Sequence, residues 1–541
     1  MSENPYAWIG SPFIGWTISI FLVFFLRYYW SQRSTPYKDM PPGPPSLPIV
    51  GNAHQLKPIN IFEQFRNLSE RYGPLASLKI GSNNIVVIGG DGTLVRELLD
   101  KRGAIYSNRP LELVNEIAGN GDHLLFQRDT DKWRTSRKLI VQHYTPRISK
   151  TEHVCLQEAE SIQLMHDFLH QPKQFMGHVM RYTTSVVTCL NYGVRCTTYQ
   201  DPAVRGIERI MEELSALNLS GAKPPVEAFP WLWYLPDFMM TKWKSRAKKI
   251  GEIMDKVYGD LAEIGRERGI NGLNTNTLAN KLRLSEESSG LTRRQQAYTC
   301  GIGLEGGSDI VAGAICTCIL ALIHDTASQT RGRDEIDSLY DEETLPRWED
   351  EQKMPFVRAM VKEVLRWRPP IPAGLPHRLE QGKPRLLWGI FSPKGLDYTW
   401  TIHSNPDRYA EPHLFKPERF LDDKMSMAQS TAQTDPLKRD HYAFGAGRRM
   451  CPGIQIAEQD MFLAFSRLLW AFEFSVPPGT QVNTDQSAFF GETVRRPKPF
   501  EVVITPRSAK RVATIEREME LAKQNVFSLY GTYNNNQTTN F

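Results

Sequence analysis

This chain of 541 residues has no paired cysteine spacing, no strong net charge and no internal repeats. Its seven cysteines show no paired spacing, which favours a reducing compartment over a disulfide framework. The formal net charge of +5 is too small and diffuse for a nucleic-acid-binding protein. No repeat or composition break divides residues 51–506, and 41% of the chain is hydrophobic, so we expect one large domain.

Charge is absent from residues 7–26, a stretch long enough to cross a bilayer as a helix. Glu3 precedes this stretch, whereas Arg27, Arg33 and Lys38 follow it, which predicts that the following side is cytoplasmic. A cleaved signal peptide would need basic residues first, a shorter apolar core and a small-residue cleavage site. We therefore predict a single-pass anchor, with a buried helix of a soluble protein as the alternative.

A proline-rich linker follows the predicted anchor. Residues 40–56 read MPPGPPSLPIVGNAHQL, and clustered prolines favour extended, stiff backbone over helix. We assign residues 27–48 to this linker, 49–507 to one folded domain and 508–541 to a polar tail. The last twelve residues, YGTYNNNQTTNF, are polar and low in complexity, which predicts disorder in the tail.

The apolar pattern predicts a mainly α-helical domain with a minor β-sheet. Short β-like runs bounded by glycines predict strands at 75–80 and 84–88. Helical spacing of apolar residues predicts helices at 154–169, 176–190, 204–217, 254–264, 298–324, 354–367 and 454–474. Aromatic residues and prolines cluster in a loop at 222–240, which either enters a membrane, covers a pocket or simply packs.

One cysteine, Cys451, lies in the decapeptide FGAGRRMCPG at residues 444–453. A thiolate needs stabilising partners, and the backbone N–H groups of this turn with Arg448 and Arg449 can supply them. The fixed pattern Phe-x-x-Gly-x-Arg-x-Cys-x-Gly arises by chance in such a chain with a probability on the order of 10⁻⁴. The pattern therefore favours a metal-binding sulfur over a buried structural cysteine.

At these residues the sequence resembles the haem-thiolate monooxygenases of the cytochrome P450 family. The resemblance implies a cytochrome P450 fold that follows one transmembrane helix. It also implies that the cofactor is haem b, that Cys451 is the axial ligand of its iron, and that Phe444 belongs to the cofactor site. The electron-rich sulfur of such a ligand favours cleavage of the O–O bond.

The two haem propionates need cationic or hydrogen-bonding partners. Trp133 and Arg137 are four residues apart on one helical face and match the Trp-x-x-x-Arg pattern that binds a propionate in the family. The resemblance adds His377, in LPHR, and Arg449 beside the cysteine. The alternative for each residue is a solvated surface position. The same basic helix carries Lys132, Arg134 and Lys138, which can face an acidic reductase.

A charge cluster is implied by two further motifs. Glu363 and Arg366, in KEVLRWRPP, are three residues apart and therefore adjacent on a helix. Any solvated helix shows such pairs, but PERF, residues 417–420, resembles the family motif whose arginine completes a buried cluster. The resemblance thus assigns Glu363, Arg366 and Arg419 to structural support of the haem pocket.

The helix predicted at 298–324 carries unusual residues for a helix interior. Gly306 and Gly307 together cost about 2 kcal/mol relative to alanines, and Glu305 with Asp309 places like charges four residues apart. Passage over a planar ligand would account for the glycines, and a proton route would account for Asp309. The stretch is similar to the family's oxygen-binding helix, so we predict catalytic roles for Gly306, Gly307 and Asp309.

The resemblance fails at Ile310, where the family has a threonine whose hydroxyl assists oxygen activation. Ser308 does not replace it, because two residues along a helix turn about 200° away. Three outcomes stay open: water or a substrate hydroxyl takes the role, oxygen activation leaks peroxide, or the enzyme runs a rearrangement, dehydration, desaturation or oxidative coupling. We favour assistance by water or substrate.

We therefore predict a monooxygenase that acts on a hydrophobic small molecule. Its sequence most resembles those of fungal family members used in secondary metabolism. A non-catalytic haem-binding protein is a third reading. Because the chain carries no flavin-binding module, NADPH would act indirectly through NADPH–cytochrome P450 reductase. We expect membrane lipid as a further partner, no nucleic acid, and a location in the endoplasmic reticulum membrane with a cytosolic catalytic domain. Residues 378–403 depart from the family pattern, through either a remodelled hairpin or an error in the predicted gene structure.

Overall fold

A computed structural model describes residues 15–16, 18–19, 22–23, 40–81, 83–219, 221–379 and 396–533. The predicted anchor at 7–26 therefore lies, apart from six residues, outside the described part of the chain. Within that part, the helical stretch Arg293–His324 is long and apolar enough to span a bilayer. Because 83% of its most apolar window is buried inside the protein, core packing accounts for its composition.

The described chain is mainly helical, as its apolar periodicity predicts. The longer helices are α1 (Ile61–Tyr72), α2 (Leu113–Gly119), α3 (Asp131–His143), α4 (Val154–His170), α5 (Phe175–Tyr192), α6 (Pro202–Asn218), α7 (Trp243–Ile270), α8 (Leu278–Leu284), α9 (Arg293–Gly307), α10 (Asp309–His324), α11 (Thr326–Asp337), α12 (Pro355–Trp367), α13 (Ile454–Ala471) and α14 (Ala509–Asn525). Shorter helical segments lie at Thr93–Val95, Gly103–Tyr106, Pro146–Ile148, Glu286–Ser289, Thr399–His403 and Met427–Thr431.

The β-structure consists of short strands in small sheets. They are β1 (Leu75–Ile80), β2 (Asn83–Ile88), β3 (Val194–Arg195), β4 (Leu396–Asp397), β5 (Phe472–Ser475), β6 (Phe489–Phe490), β7 (Arg496–Pro497), β8 (Val503–Pro506) and β9 (Gly531–Thr532). Strand β2 pairs antiparallel with β1 and parallel with β4, β3 pairs parallel with β9, and β5–β8 and β6–β7 are antiparallel pairs. The two strands predicted near the start of the domain are β1 and β2.

The main core forms where α10 and α13 pack against α4, α5 and α12. Nearly every residue of α10 and α13 is buried. Helix α10 is apolar on nearly all sides and must be covered on all sides, which fixes it at the centre of the domain. Helix α13 also buries polar residues, such as Asp460 and Arg467, and these have hydrogen-bond partners in the core. The predicted segment 454–474 ends as a helix at Ala471, because the alternating residues Phe472–Ser475 form β5 instead.

The single helix predicted at 298–324 is in fact two helices, α9 and α10. Ser308 separates them with φ −88° and ψ −82°. Two glycines and a serine in sequence form the weakest point of this segment, since glycine is a poor helix former and Gly/Ser pairs are frequent kink sites. The hydroxyl of Thr183 donates a hydrogen bond to the Ser308 carbonyl at 3.0 Å, which stabilises the break from α5.

The prediction of a disordered tail from residue 508 is wrong for most of that segment. Helix α14 begins after Ser508, whose side chain caps it, and buries Ile515, Met519 and Ala522 as it packs against α4. These apolar residues recur at helical spacing and form one buried stripe, while Arg511 and Thr514 add polar contacts to Asp337 and the carbonyl of Glu342. Residues 534–541 lie outside the described part of the chain.

The departure predicted at residues 378–403 lies largely outside the described residues, which resume at position 396. Strand β4 there joins the edge of the β1–β2 sheet beside Val86 and Val87. The following segment, Thr399–His403, is a buried helical turn.

Candidate functional site

Cys451 lies in a tight loop that leads directly into α13. Its backbone N–H donates to the carbonyl of the half-buried Phe444 at 2.9 Å, which closes the decapeptide into a turn. Gly445 and Gly447 adopt φ of +77° and +66°, a region that favours glycine. A Cβ atom on Gly447 would also overlap the carbonyl oxygen of Leu99. The glycines therefore fix the loop that presents the sulfur.

The surroundings of Cys451 act on its ionisation in opposite directions. Burial raises the pKa of the thiol, whereas a hydrogen bond from the Gly453 N–H and the charge of Arg137 lower it by smaller amounts. Helix α13 begins at Ile454, so the positive end of its dipole also lies close to the sulfur. Because burial is the largest of the influences on the pKa, a thiolate here needs a further positive partner, such as a metal ion.

Arg449 stacks over the ring of Trp133, with 3.8 Å from its Cζ to the ring centroid. Its Nε donates to the carbonyl of Ser107 at 2.9 Å and its Nη2 to that of Gln127 at 2.8 Å. Its Nη1 is buried and has no hydrogen-bond partner among the described residues. Burial lowers the pKa of Arg449 to about 8, so its charge is poorly compensated by the protein alone.

Other cationic or polar groups surround Arg449. Arg137 donates to the carbonyl of Met450, next to the cysteine, and its charge lowers the pKa of Arg449 further, as does that of Arg109. Nδ1 of the buried His377 lies 2.9 Å from a backbone carbonyl, and burial holds the pKa of this imidazole well below its ordinary value. The predicted residues Trp133, Arg137, His377 and Arg449 are thus brought together.

Arg109 belongs to this group and was missed from the sequence. It is buried, donates to the carbonyls of Leu375 and Pro376 at 3.1 and 2.6 Å, and has a pKa lowered by burial to about 10. The sequence around it, SNRP, has no spacing that links it to Cys451. Only the folded chain shows that it lies within electrostatic reach of Arg449.

These residues fit haem. Buried guanidinium groups, one with an unpartnered donor, require acceptors that carry negative charge, and Asp129 supplies only partial compensation. The two propionates of haem would supply the missing carboxylates, and Arg109, Arg137, Arg449 and His377 would hold them by charge-assisted hydrogen bonds.

The adjacent glycines at the end of α9 have different surroundings. A Cβ atom on Gly306 would meet no other atom within 4 Å, and this residue lies one turn from the half-buried Ile310. A Cβ atom on Gly307 would instead overlap the Cγ2 methyl of Val187 on α5. Gly306 therefore borders open space, as expected for a residue beside a ligand, whereas helix packing accounts for Gly307.

Asp309 is linked to the surface through two charged residues that the sequence did not reveal. Its Oδ1 accepts from Nη1 of Arg496 at 2.5 Å, and Nη2 of Arg496 pairs with the exposed Glu212 at 3.0 Å. Burial raises the pKa of Asp309, and the charge of Arg496 opposes this shift. No local spacing connects the three residues, since they come from α6, α10 and β7.

The repulsion predicted between Glu305 and Asp309 is avoided. The Glu305 carboxylate accepts from the hydroxyl of Tyr258 and lies 3.1 Å from Nε2 of the buried His123. Because the helix breaks at Ser308, Glu305 and Asp309 have separate partners on separate helices.

Glu363, Arg366 and Arg419 meet in the interior beneath α12. Nε of Arg366 donates to Oε2 of Glu363 at 2.9 Å, and Nε of Arg419 lies 3.0 Å from the same oxygen. Arg366 also donates to the carbonyls of His403 and Leu414. The cluster joins α12 to the segment that carries PERF, and so supports the loops around the site.

Comparison with known proteins gives consistent matches. The family model for cytochrome P450 matches residues 41–504. The chain is 36% identical to cytochrome P450 monooxygenase patH of Aspergillus clavatus, over 91% of this chain and 94% of that protein. It is 34% identical to cytochrome P450 monooxygenase macC of Penicillium terrestre, over 95% and 98%. A zebrafish cytochrome P450 structure with abiraterone superposes with a TM-score of 0.65 at 23% identity, covering 83% of this chain and all of that one, which supports the fold.

Proposed function

Because this chain belongs to the cytochrome P450 family of oxidoreductases, we propose that it is a haem-thiolate monooxygenase of fungal secondary metabolism. It would insert one oxygen atom from O2 into a hydrophobic small molecule. The observation that carries the proposal is the fixed Cys451 loop beside buried cations with too few counter-ions. Haem b would supply the oxygen chemistry when bound, and the sulfur of Cys451 would hold its iron.

The residues of the chain divide the remaining tasks. The cations around Arg449 would orient the cofactor through its propionates. Asp309, whose pKa is raised by burial and lowered by the charge of Arg496, would take part in proton delivery, and Arg496 and Glu212 would link its carboxyl group to solvent. Ile310 has no donor, so we propose that a water molecule or a substrate hydroxyl provides the hydrogen bond at that position.

The test is the absorbance of the purified, reduced chain in carbon monoxide. Thiolate ligation gives a red-shifted Soret band, which Cys451→Ala should abolish. Cys155→Ala is the matched control, because Cys155 is an exposed free cysteine and should keep the band. Absence of the band from the wild-type chain, or its persistence in Cys451→Ala, would overturn the proposal.

We further propose that electrons come from NADPH through NADPH–cytochrome P450 reductase. Lys132, Arg134 and Lys138 are exposed on α3, the helix that carries Trp133 and Arg137 of the cofactor site. An acidic partner would be attracted to this basic surface, and its association would weaken as salt screens the charges. Charge reversal of Lys132 and Lys138 should slow reduction by a separate reductase and leave the carbon monoxide spectrum unchanged. An unchanged reduction rate would count against this surface.

A location on the endoplasmic reticulum membrane is proposed on two grounds. The first is the uncharged segment 7–26. The second is the loop predicted to pack, cover a pocket or enter a membrane, which leaves Trp231, Tyr234, Phe238 and Met239 largely exposed. Aromatic side chains of this kind favour the membrane interface. Chain lacking residues 1–39 should still co-float with phospholipid vesicles, and Trp231→Ser with Phe238→Ser should weaken that binding.

A second function is favoured by Ile310 alone: a haem-thiolate enzyme that rearranges, dehydrates, desaturates or couples its substrate. Mass spectrometry of products formed under ¹⁸O2 distinguishes the two, because a monooxygenase transfers one labelled atom. For a monooxygenase assisted by water or substrate, Ile310→Thr leaves the product unchanged. Val311→Thr is the matched control, since it adds the same hydroxyl at the adjacent buried position. A change of reaction type in Ile310→Thr would favour the second function.

A further inference from the structure

Two histidines and a glutamate meet on the surface where α4 and α14 pack together. His166 and His170 are four residues apart on α4, with ring centroids separated by 4.3 Å. Oε1 of Glu516, on α14, lies 2.8 Å from Nε2 of His170, and its Oε2 lies 3.4 Å from Nε2 of His166. One ligand atom from each residue lies within 4.8 Å of the other two.

We propose that this cluster binds a Zn²⁺ ion. Two imidazole nitrogens and a carboxylate oxygen form a ligand set that Zn²⁺ takes, with water in the fourth position. A tetrahedral ion with bonds of about 2.0–2.1 Å holds its ligand atoms about 3.3 Å apart. Nε2 of His170 lies 2.8 Å from one oxygen of Glu516 and Nε2 of His166 lies 3.4 Å from the other, and one ligand atom of each residue lies within 4.8 Å of the other two, so side-chain rotations would bring the three to this spacing. The alternative is a pair of histidine–glutamate hydrogen bonds without a metal.

The surroundings of the cluster suit a cation. Oδ1 of Asp167 lies 4.0 Å from Nδ1 of His166, while its Oδ2 pairs with Arg181 at 3.0 Å. A small rotation of His166 would bring its ring into reach of this carboxylate, which can orient a metal-bound imidazole. Helix α4 ends at His170, so the negative end of its dipole adds to the attraction. His170 and Glu516 are about half exposed, which gives an ion from solvent direct access.

The position of the site gives the ion a structural role. Helix α14 follows residue 504, where the match to the family model ends. Its first half is held by polar contacts of Arg511 and Thr514, whereas an apolar stripe packs it on α4. An ion bridging His166 and His170 to Glu516 would bind only while the two helices are packed. Binding to the folded form alone stabilises that form by mass action. Zinc would therefore secure α14 against local opening.

The experiment uses the full-length, haem-loaded protein after chelator treatment, so that Cys451 is occupied and does not compete for metal. Zn²⁺ affinity is measured by competition with a chromophoric chelator, and Mg²⁺ serves as the probe that should not bind. We expect one tight Zn²⁺ per chain, and at least about tenfold weaker binding in His170→Asn and Glu516→Gln, as the loss of even outer-shell partners causes. His54→Asn, at an exposed histidine elsewhere, is the matched control and should bind like wild type.

Hydrogen exchange gives the second measurement. Zn²⁺ should slow amide exchange across residues 509–525 of the wild-type chain and of His54→Asn, but not of His170→Asn. Equal Zn²⁺ affinity in wild type and His170→Asn would overturn the proposal, as would the absence of Zn²⁺ binding to the wild-type chain. Tight binding without slower exchange would overturn the structural role of the ion.

Discussion

Replacing Glu363 by glutamine should be far more damaging than the same change at Glu418, although both carboxylates pair with arginine. Glu363 is fully buried, and its oxygens accept from Arg366, Arg419 and the backbone N–H of Lys416 at 2.8 Å. Glutamine would leave the two arginine charges without a counter-ion, and breaking a buried pair at one member costs about 3–5 kcal/mol. We expect Glu363→Gln to lower the free energy of unfolding by this amount.

Glu418 is the neighbour of Arg419 in sequence, but it lies on the surface. It pairs with Arg331 at 2.8 Å, and the two side chains are 50% and 46% exposed. Water and salt screen such a pair, so Glu418→Gln should cost less than about 1 kcal/mol. The assay is urea unfolding of both variants, followed in parallel by tryptophan fluorescence and by the Soret band. Equal midpoints for Glu363→Gln and Glu418→Gln would refute the reasoning, and retention of haem by Glu363→Gln would refute the support of the site by this cluster.

Two further predictions concern residues of α9 and α13. Gly307→Ala should destabilise the protein by about 1–3 kcal/mol in thermal or urea unfolding, because its methyl group would overlap Val187, whereas Gly306→Ala should fold like wild type. Asp460 is buried, and its pKa is raised by burial to about 7. The folded carboxyl thus keeps a proton that the unfolded chain loses near its ordinary pKa of 3.8, so wild-type stability falls as pH rises from about 4 to about 7. Asp460→Asn should remove this fall, with a gain over wild type of up to about 4 kcal/mol above pH 7; parallel stability profiles would contradict the assignment.

Local motifs account for what the sequence predicted at the site. The Cys451 loop and the Trp133–Arg137 pair each consist of residues close together in sequence, so their spacing can be recognised without the structure. The partners Arg109 and Arg496 reach the site from remote segments, and nothing in their own neighbourhoods marks them. Their contacts depend on packing that no short pattern encodes.

The fold shows the same division. Strands β1 and β2 and the long amphipathic helices follow from periodicity. Helix α14 was mistaken for a disordered tail because its composition is polar and its buried stripe is short. The break at Ser308 was partly visible in the preceding glycines, but the hydroxyl of Thr183 that supports it lies on another helix. The low helix propensity of the glycines indicates where the helix is weak, and contacts with another helix decide that it breaks there.

Because of the break at Ser308, α9 and α10 are two separate helices, and each has its own polar contacts with other parts of the fold. Glu305 ties the first to Tyr258 and His123, and Asp309 ties the second to Arg496. A displacement of α9 is therefore not transmitted as a rigid-body movement to the carboxyl group of Asp309 on α10. For protein engineering, α9 is therefore a segment in which substitutions can be made without displacing the carboxyl group of Asp309.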